Sequence, residues 1–278
     1  MRIGLITPEP GHPLLAAATA LLAREHLVEP VHPDSAPPDR VADVYLLKSR
    51  TPTALALARA LEARGAAVLN SASATGLCQD RTAMAELADR AGLPFAATRT
   101  FAALGPLPDQ EDLTYPLVVK SRHSRRHDLV ARADDSAGLR ALAEGWAREP
   151  VVVQEFTANS GWDHKLWVIG GRVFAALRRS ELAPGDRGPT RSLPLDALQP
   201  GWAALALRVG EVFALDVYGV DLIDVGGSPL IVDVNAFPGI RGQLGAPEAL
   251  AELALAAGSG RLIPRTRARP AEESCSTP

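Results

Sequence analysis

Hydrophobic positions along the chain follow two rhythms. Short apolar runs alternate with longer stretches in which alanine and leucine recur every three or four residues. The first rhythm marks buried strands and the second marks amphipathic helices. Ile3–Thr7 predicts a strand that stops at Pro8, and Leu14–Arg24 predicts a helix. Asp43–Leu47 predicts a second strand, and Pro52–Arg64 a second helix, with Gly65 where a helix-ending glycine belongs. Ala67–Leu69 predicts a third strand. Strands separated by helices point to a small parallel α/β unit, assigned here to residues 1–90.

The rhythm then changes. Asp80–Ala91 reads as a helix closed by Gly92 and Pro94. Pro116–Lys120, Ser136–Trp146 and Val151–Phe156 read as strand, helix and strand, a small α+β lobe over residues 91–155. Residues 156–260 are richer in strands. Lys165–Ile169 and Arg172–Arg178 flank Gly170-Gly171, and Val220–Val225 and Pro229–Val234 flank Gly226-Gly227. Both dipeptides are hairpin signals. Gly201–Phe213 reads as the helix between the two hairpins. From Arg261 the chain turns polar and proline-containing, so residues 261–278 are expected to form a disordered tail. The expected fold class is α/β, grading into α+β in the later lobes.

Composition adds mainly exclusions. The 278 residues carry 47% hydrophobic and 22% charged positions with a net charge of −3, a globular balance without the basic excess typical of nucleic-acid binders. The first apolar run is too short for a secretory leader, and no run approaches the roughly 20 residues of a membrane helix. Cys78 and Cys275 make neither a disulfide framework nor a metal cage. A cytoplasmic, reduced protein without nucleic-acid or membrane partners is expected.

Candidate chemistry concentrates in GVDLIDVGGSPLIVDVNAFPG, residues 219–239. Asp233 and Asn235 stand two apart on one strand and so share a face. The hairpin can bring Asp221 beside them. Two carboxylates and an amide oxygen form a hard-oxygen set suited to Mg²⁺, although a surface hairpin with solvated acids fits the same residues. Lys120 ends PLVVK, where its ammonium would either meet phosphate or stay in water. SRHSRRHD, residues 121–128, packs three arginines and two histidines into eight positions, either a polyanion clamp or an exposed basic loop. The strand VVVQEF ends in Gln154, Glu155 and Phe156, whose backbone could meet an adenine edge. Arg178, Arg179 and Arg191 could hold a transferring phosphoryl group. Neither a P-loop, nor a GxGxxG fingerprint, nor a GxSxG elbow occurs.

The order of these segments resembles the ATP-grasp superfamily over about residues 70–245: PLVVK, VVVQEF, DHKLWVIGGRV, RRS, GVDLI, then VDVNAFPG. Within it the chain is most similar to the RimK-like branch, which adds glutamate to ribosomal protein S6, and to related amino-acid ligases. The resemblance implies an enzyme using ATP and Mg²⁺, with Mn²⁺ as a substitute, to join a small-molecule or peptide carboxylate to an amine through an acyl-phosphate. It leaves room for a homo-oligomer. It implies that Arg81 and Lys120 contact ATP, that Gln154, Glu155 and Phe156 line the adenine pocket, that Asp163 and Lys165 lie near the ribose and phosphates, that Arg178 and Arg191 serve catalysis, and that Asp221, Asp233 and Asn235 hold the metal. Two departures stand out. The loop after Lys120 lacks the glycines usual in relatives, and Asp233 stands where many ligases carry glutamate. The DVNAFPG form is similar to the inositol-phosphate kinase branch, which implies an alternative, phosphorylation of a small polyanionic hydroxyl substrate.

Overall fold

The structure is a computed structural model that describes residues 1–183, 185, 188–266 and 268. Its first 70 residues form a fully parallel sheet in the order β2-β1-β3-β4, from β1 (Arg2–Ile6), β2 (Leu27–Val31), β3 (Val44–Leu47) and β4 (Ala67–Leu69). α1 (Pro13–Leu22) and α2 (Pro52–Ala63) cover its two faces. Ile3, Leu5, Val44 and Leu46 point to the α1 side, while Tyr45 and Leu47 point to α2. Burial on both faces explains why β3 is apolar throughout rather than alternating. Thr51 starts α2 by accepting the Ala54 N–H at 3.2 Å, and Pro52 takes the first helical position. β2, with Pro30 in its middle, gives no strand signal in the sequence; proline is tolerated there because β2 is an edge.

Two further helices, α3 (Ala72–Leu77) and α4 (Arg81–Arg90), are capped by Ser71 and Asp80 and lead into the small lobe. That lobe is an antiparallel sheet of β5 (Thr98–Phe101), β6 (Leu117–Ser121), β7 (Val130–Ala133) and β8 (Val151–Glu155), in the order β5-β8-β6-β7. With α5 (Ser136–Trp146) it closes a core of its own around Leu117, Val119, Leu139, Val151 and Val153.

The second antiparallel sheet contains β9 (Trp162–Ile169), β10 (Arg172–Arg179), β11 (Arg191–Leu193), β12 (Val217–Val225) and β13 (Ser228–Ala236), in the order β11-β10-β9-β12-β13. Both glycine hairpins lie where the sequence predicts them. One face of this sheet packs Leu166, Val168, Val220, Leu222 and Val234 on α6 (Trp202–Phe213). The other face changes character along β9: Asp163 and Lys165 come first, then Trp167 and Ile169, which join the core shared with α1 and α7 (Ala246–Gly258). The parallel unit thus covers one end of that face and leaves the charged end open. Asn70, fully buried after β4, locks the two together: its amide nitrogen donates to Val217 O at 2.6 Å, and its oxygen accepts the N–H groups of Asp216 and Val217 at 2.7 and 2.9 Å.

The tail was expected to be disordered from Arg261. The Arg265 N–H donates to Asp216 Oδ2 at 3.0 Å and its guanidinium to Leu215 O at 2.8 Å, while Thr266 O accepts from Ser73 Oγ. Residues 267 and 269–278 lie outside the described residues.

Candidate functional site

A cavity of about 340 Å³ opens between the small lobe and the charged end of the large sheet. This lies within the roughly 300–1,000 Å³ common for small-ligand sites. Its floor and roof are apolar, formed by Ala96, Val118, Val130, Ile223 and Leu230. Gln154, Glu155, Phe156 and Thr157 line the rim where the chain leaves β8 for the large sheet. Arg132 stacks on the Phe156 ring, its guanidinium carbon 4.0 Å from the ring centre. The cavity is therefore apolar at the lobe junction and increasingly charged inward.

The inner end is built by strand register. Asp221 on β12 lies directly opposite Asp233 on β13 and beside Lys165 on β9, while Asp163 pairs across with Arg178 on β10. Residues opposite each other in a ladder face the same side, so these side chains converge on the face that α6 leaves open. Lys165 Nζ lies 2.8 Å from Asp221 and 3.4 Å from Asp163. Burial disfavours the Lys165 charge, but the two carboxylates outweigh it and raise its pKa. Burial raises the Asp221 pKa, Lys165 opposes that shift, and Asp233 adds to it. Beyond Asp221 the register slips, so that Leu222 faces Ile231 and Val232 bulges.

The bulge carbonyl receives the cavity's second lysine. Lys120, buried at the end of β6, reaches across from the small lobe and donates to Val232 O at 2.8 Å. It has no carboxylate in ion-pair contact among the described residues. Burial lowers its pKa to about 8, with Asp233 as the main opposing influence.

Arg81 is buried behind Asp233 rather than lining the cavity. It donates to Asp128 at 2.7 Å, to Ser121 O at 2.7 Å and to Asp233 at 3.4 Å. It thereby joins the metal-candidate carboxylate to the loop after β6. Two of that loop's three arginines are also engaged: Arg122 pairs with Asp80, and Arg125 forms a two-pronged pair with Glu149 at 2.6 and 2.8 Å. Arg178 shares the charged face without lining the cavity, whereas Arg179, its neighbour, does line it. Arg191 lies on the edge strand β11 and stacks on Trp162 at 4.7 Å, away from the cavity. Asn235 stands opposite Gly219 on the same face as Asp233, two pairs further along. A Cβ at Gly219 would lie 3.0 Å from Trp167 and 3.1 Å from Pro238, so glycine lets the turn after Asn235 close onto the sheet.

The donor set suits a hard divalent ion. Among the described residues, no group of three or more His, Cys, Asp or Glu side chains could form a protein-only cage. Two opposed carboxylates and an amide are what Mg²⁺ uses when waters and phosphate oxygens complete its shell. Here a lysine and an arginine balance those carboxylates.

Residues 100–246 match the RimK-like ATP-grasp domain family. The chain belongs to that family. Over 202 residues it is 29% identical to a probable alpha-L-glutamate ligase 2 of Shewanella sp. strain W3-18-1, covering 69% of this chain and 66% of that protein. The chain thus spans slightly less than two thirds of the length of the curated relatives it matches. Among solved structures, a RimK domain ATP-grasp protein from Sphaerobacter thermophilus superimposes with a TM-score of 0.73 at 22% identity, covering 91% of this chain and 99% of that one. D-alanine–D-alanine ligase from Bacillus anthracis superimposes with a TM-score of 0.68 at 16% identity, covering 94% and 100%. The fold is the ATP-grasp fold, and no helix among the described residues is long and apolar enough to cross a membrane.

Several residues that shape this region carry no sequence signal. Arg132, Asp128 and the Val232 carbonyl depend on pairings that spacing does not reveal. The bulge at Val232 is likewise invisible in a continuous apolar run.

Proposed function

We propose that the protein is an ATP-dependent carboxylate–amine ligase that forms an amide through an acyl-phosphate. The observation that carries this reading is the meeting, in one cavity between two lobes, of the carboxylate pair Asp221 and Asp233 with a buried lysine, Lys120, that has no carboxylate in ion-pair contact among the described residues. In this reading adenine lies between the apolar floor and roof, beside Gln154, Glu155 and Phe156 at the rim, with Asp163 toward the ribose. Lys120 and Lys165 hold the phosphates. Asp221, Asp233 and Asn235 hold Mg²⁺, which when bound neutralises phosphate charge and orients the γ-phosphoryl group. Arg81 contributes by fixing Asp233, and Arg178 and Arg179 stand at the phosphoryl end.

The reaction balances in two steps. A carboxylate oxygen of the acid attacks the γ-phosphorus, and ADP leaves. The amine then attacks the acyl carbon, phosphate departs with the former carboxylate oxygen, and the amine proton passes to solvent or a cavity base. The chain's residues contribute position and fixed charge rather than a covalent intermediate. The relative's name, alpha-L-glutamate ligase, supports amino acids or peptides as the substrate class. Pairing of Arg122 and Arg125 with Asp80 and Glu149 weighs against the kinase alternative, in which the basic loop grips a polyanion. Cytoplasmic residence accords with the cysteine content.

The test follows ADP and free phosphate separately with Mg·ATP, pooled amino acids and short peptides. The ligase releases both in equal amounts only when acid and amine are present together. ADP with a phosphorylated product and no free phosphate would replace this reading by the kinase.

A further inference from the structure

A second cluster of positive charge lies past the end of β13, outside the residues used above. The turn after Asn235 runs Phe237, Pro238, Gly239, Ile240, Arg241, and Phe237 holds a left-handed φ of 43° while buried. A non-glycine residue kept in that region is a strain that the surroundings must enforce. Lys48, at the exit of β3, places its ammonium 5.6 Å from the centre of the Phe237 ring. His12, at the start of α1, is 6% exposed, and its Nδ1 is buried without a hydrogen-bond partner. A Cβ at Gly239 would lie 3.4 Å from His12 Nε2, so glycine keeps the turn against this histidine.

Charges acting on the cluster come from several elements. Lys48 is affected by Arg50 and Arg241, and His12 by Lys48 and Arg241. Glu9 is the opposing carboxylate for both, and it is exposed and forms no ion pair with either. Arg50 reaches the loop after β6 through Ser124 Oγ at 3.4 Å. Burial lowers the Lys48 pKa to about 8, which leaves it mostly charged at neutral pH. The first turn of α1 adds N–H groups that no helical carbonyl satisfies. A partly desolvated Lys48 and the exposed Arg241, neither in ion-pair contact with a carboxylate among the described residues, stand beside an unsatisfied buried ring nitrogen and form a prepared anion site.

Its location gives it a purpose. Phe237 lies two residues beyond Asn235, just past the end of β13, so the cluster borders the strand that carries Asp233 and Asn235. We propose that Lys48 and Arg241, with His12 beside Gly239, bind an anionic group of the substrate that does not itself react. The preferred substrate therefore carries a second carboxylate or a phosphate in addition to its reacting group. This rests on the nucleotide and metal assignment above.

Calorimetric titration of the full chain tests it, with saturating Mg·AMPPNP and with glutarate, 3-phosphoglycerate and butyrate as probes. Glutarate or 3-phosphoglycerate should bind about tenfold tighter than butyrate, a gain of the size expected for one charge-assisted contact. The tighter of the two probes tells whether carboxylate or phosphate is preferred. That advantage should vanish in Lys48→Met and shrink in Arg241→Ala, an exposed position whose change leaves the core intact. Equal binding of the three probes by the native chain, or an undiminished advantage in both variants, would overturn the proposal. AMPPNP affinity is read in the same titrations. Its absence would sink the nucleotide assignment, while the same probes without nucleotide still decide the anion site.

Discussion

The two walls of the cavity treat buried charge in opposite ways. The wall from the large sheet is internally balanced: Lys165 lies between Asp163 and Asp221, and Asp233 has Arg81 behind it. The wall from the small lobe offers one buried ammonium, Lys120, whose hydrogen bond goes to a backbone carbonyl across the cleft. One lysine has its pKa raised and the other lowered to about 8, although both are buried against the same space. A balanced wall can exist without ligand at little cost. A lone buried cation is unfavourable until an anion joins it, which is the arrangement expected where phosphate is to bind.

The largest effect should come from removing the carboxylate pair. Asp221→Asn and Asp233→Asn are expected to lower kcat about 10³-fold while circular dichroism and Tm remain near native. Turnover within tenfold of native in both would break the metal assignment and with it the contrast between the walls. Replacing the lone cation separates stability from activity. Lys120→Met should lower kcat about 10²-fold yet raise stability by about 1 kcal/mol, since a buried charge gives way to an apolar chain of similar length. A fall in Tm would show that the Val232 contact outweighs desolvation.

The same lysine sets a pH signature. The unfolded side chain titrates near 10.4, whereas the folded one titrates at about 8. Between those values the unfolded chain holds a proton that the folded lysine has released, so stability should rise with pH across that window. Lys48, also lowered to about 8, adds in the same direction. Urea midpoints from pH 7.5 to 10 check this, and Lys120→Met should flatten part of the rise. The smallest effect belongs to Arg191→Ala, which should change turnover less than about threefold because the side chain stacks on Trp162 outside the cavity. A tenfold loss would bring Arg191 back to the phosphoryl end.

Much of this architecture can be read from the chain because local rules govern it. Gly170-Gly171 and Gly226-Gly227 dictate hairpins, and the alternation around Asp233 and Asn235 puts both on one face. The apolar core strands of the parallel unit are equally plain, whereas β2 hides behind Pro30 because an edge strand needs fewer ladder bonds. Lys120, Lys165 and Asp221 share the cavity that their order along the chain suggests. Arg81 lies behind Asp233, and Arg191 stands off the cavity, because a basic residue's position along the sequence says nothing about which face of an edge strand or helix it takes. The cluster of Lys48, His12 and Arg241 gives no signal at all. Its members lie up to 229 positions apart and meet only because the turn after Asn235 folds back onto the parallel unit.

The most direct test of the central claim follows one oxygen atom. With the acid substrate labelled with ¹⁸O in its reacting carboxylate, and ATP unlabelled, the phosphate released is analysed by mass spectrometry. An acyl-phosphate route transfers one carboxylate oxygen to phosphorus, so each turnover should yield one singly labelled phosphate. Unlabelled phosphate, or label retained in a stable phosphorylated product, would contradict the ligase.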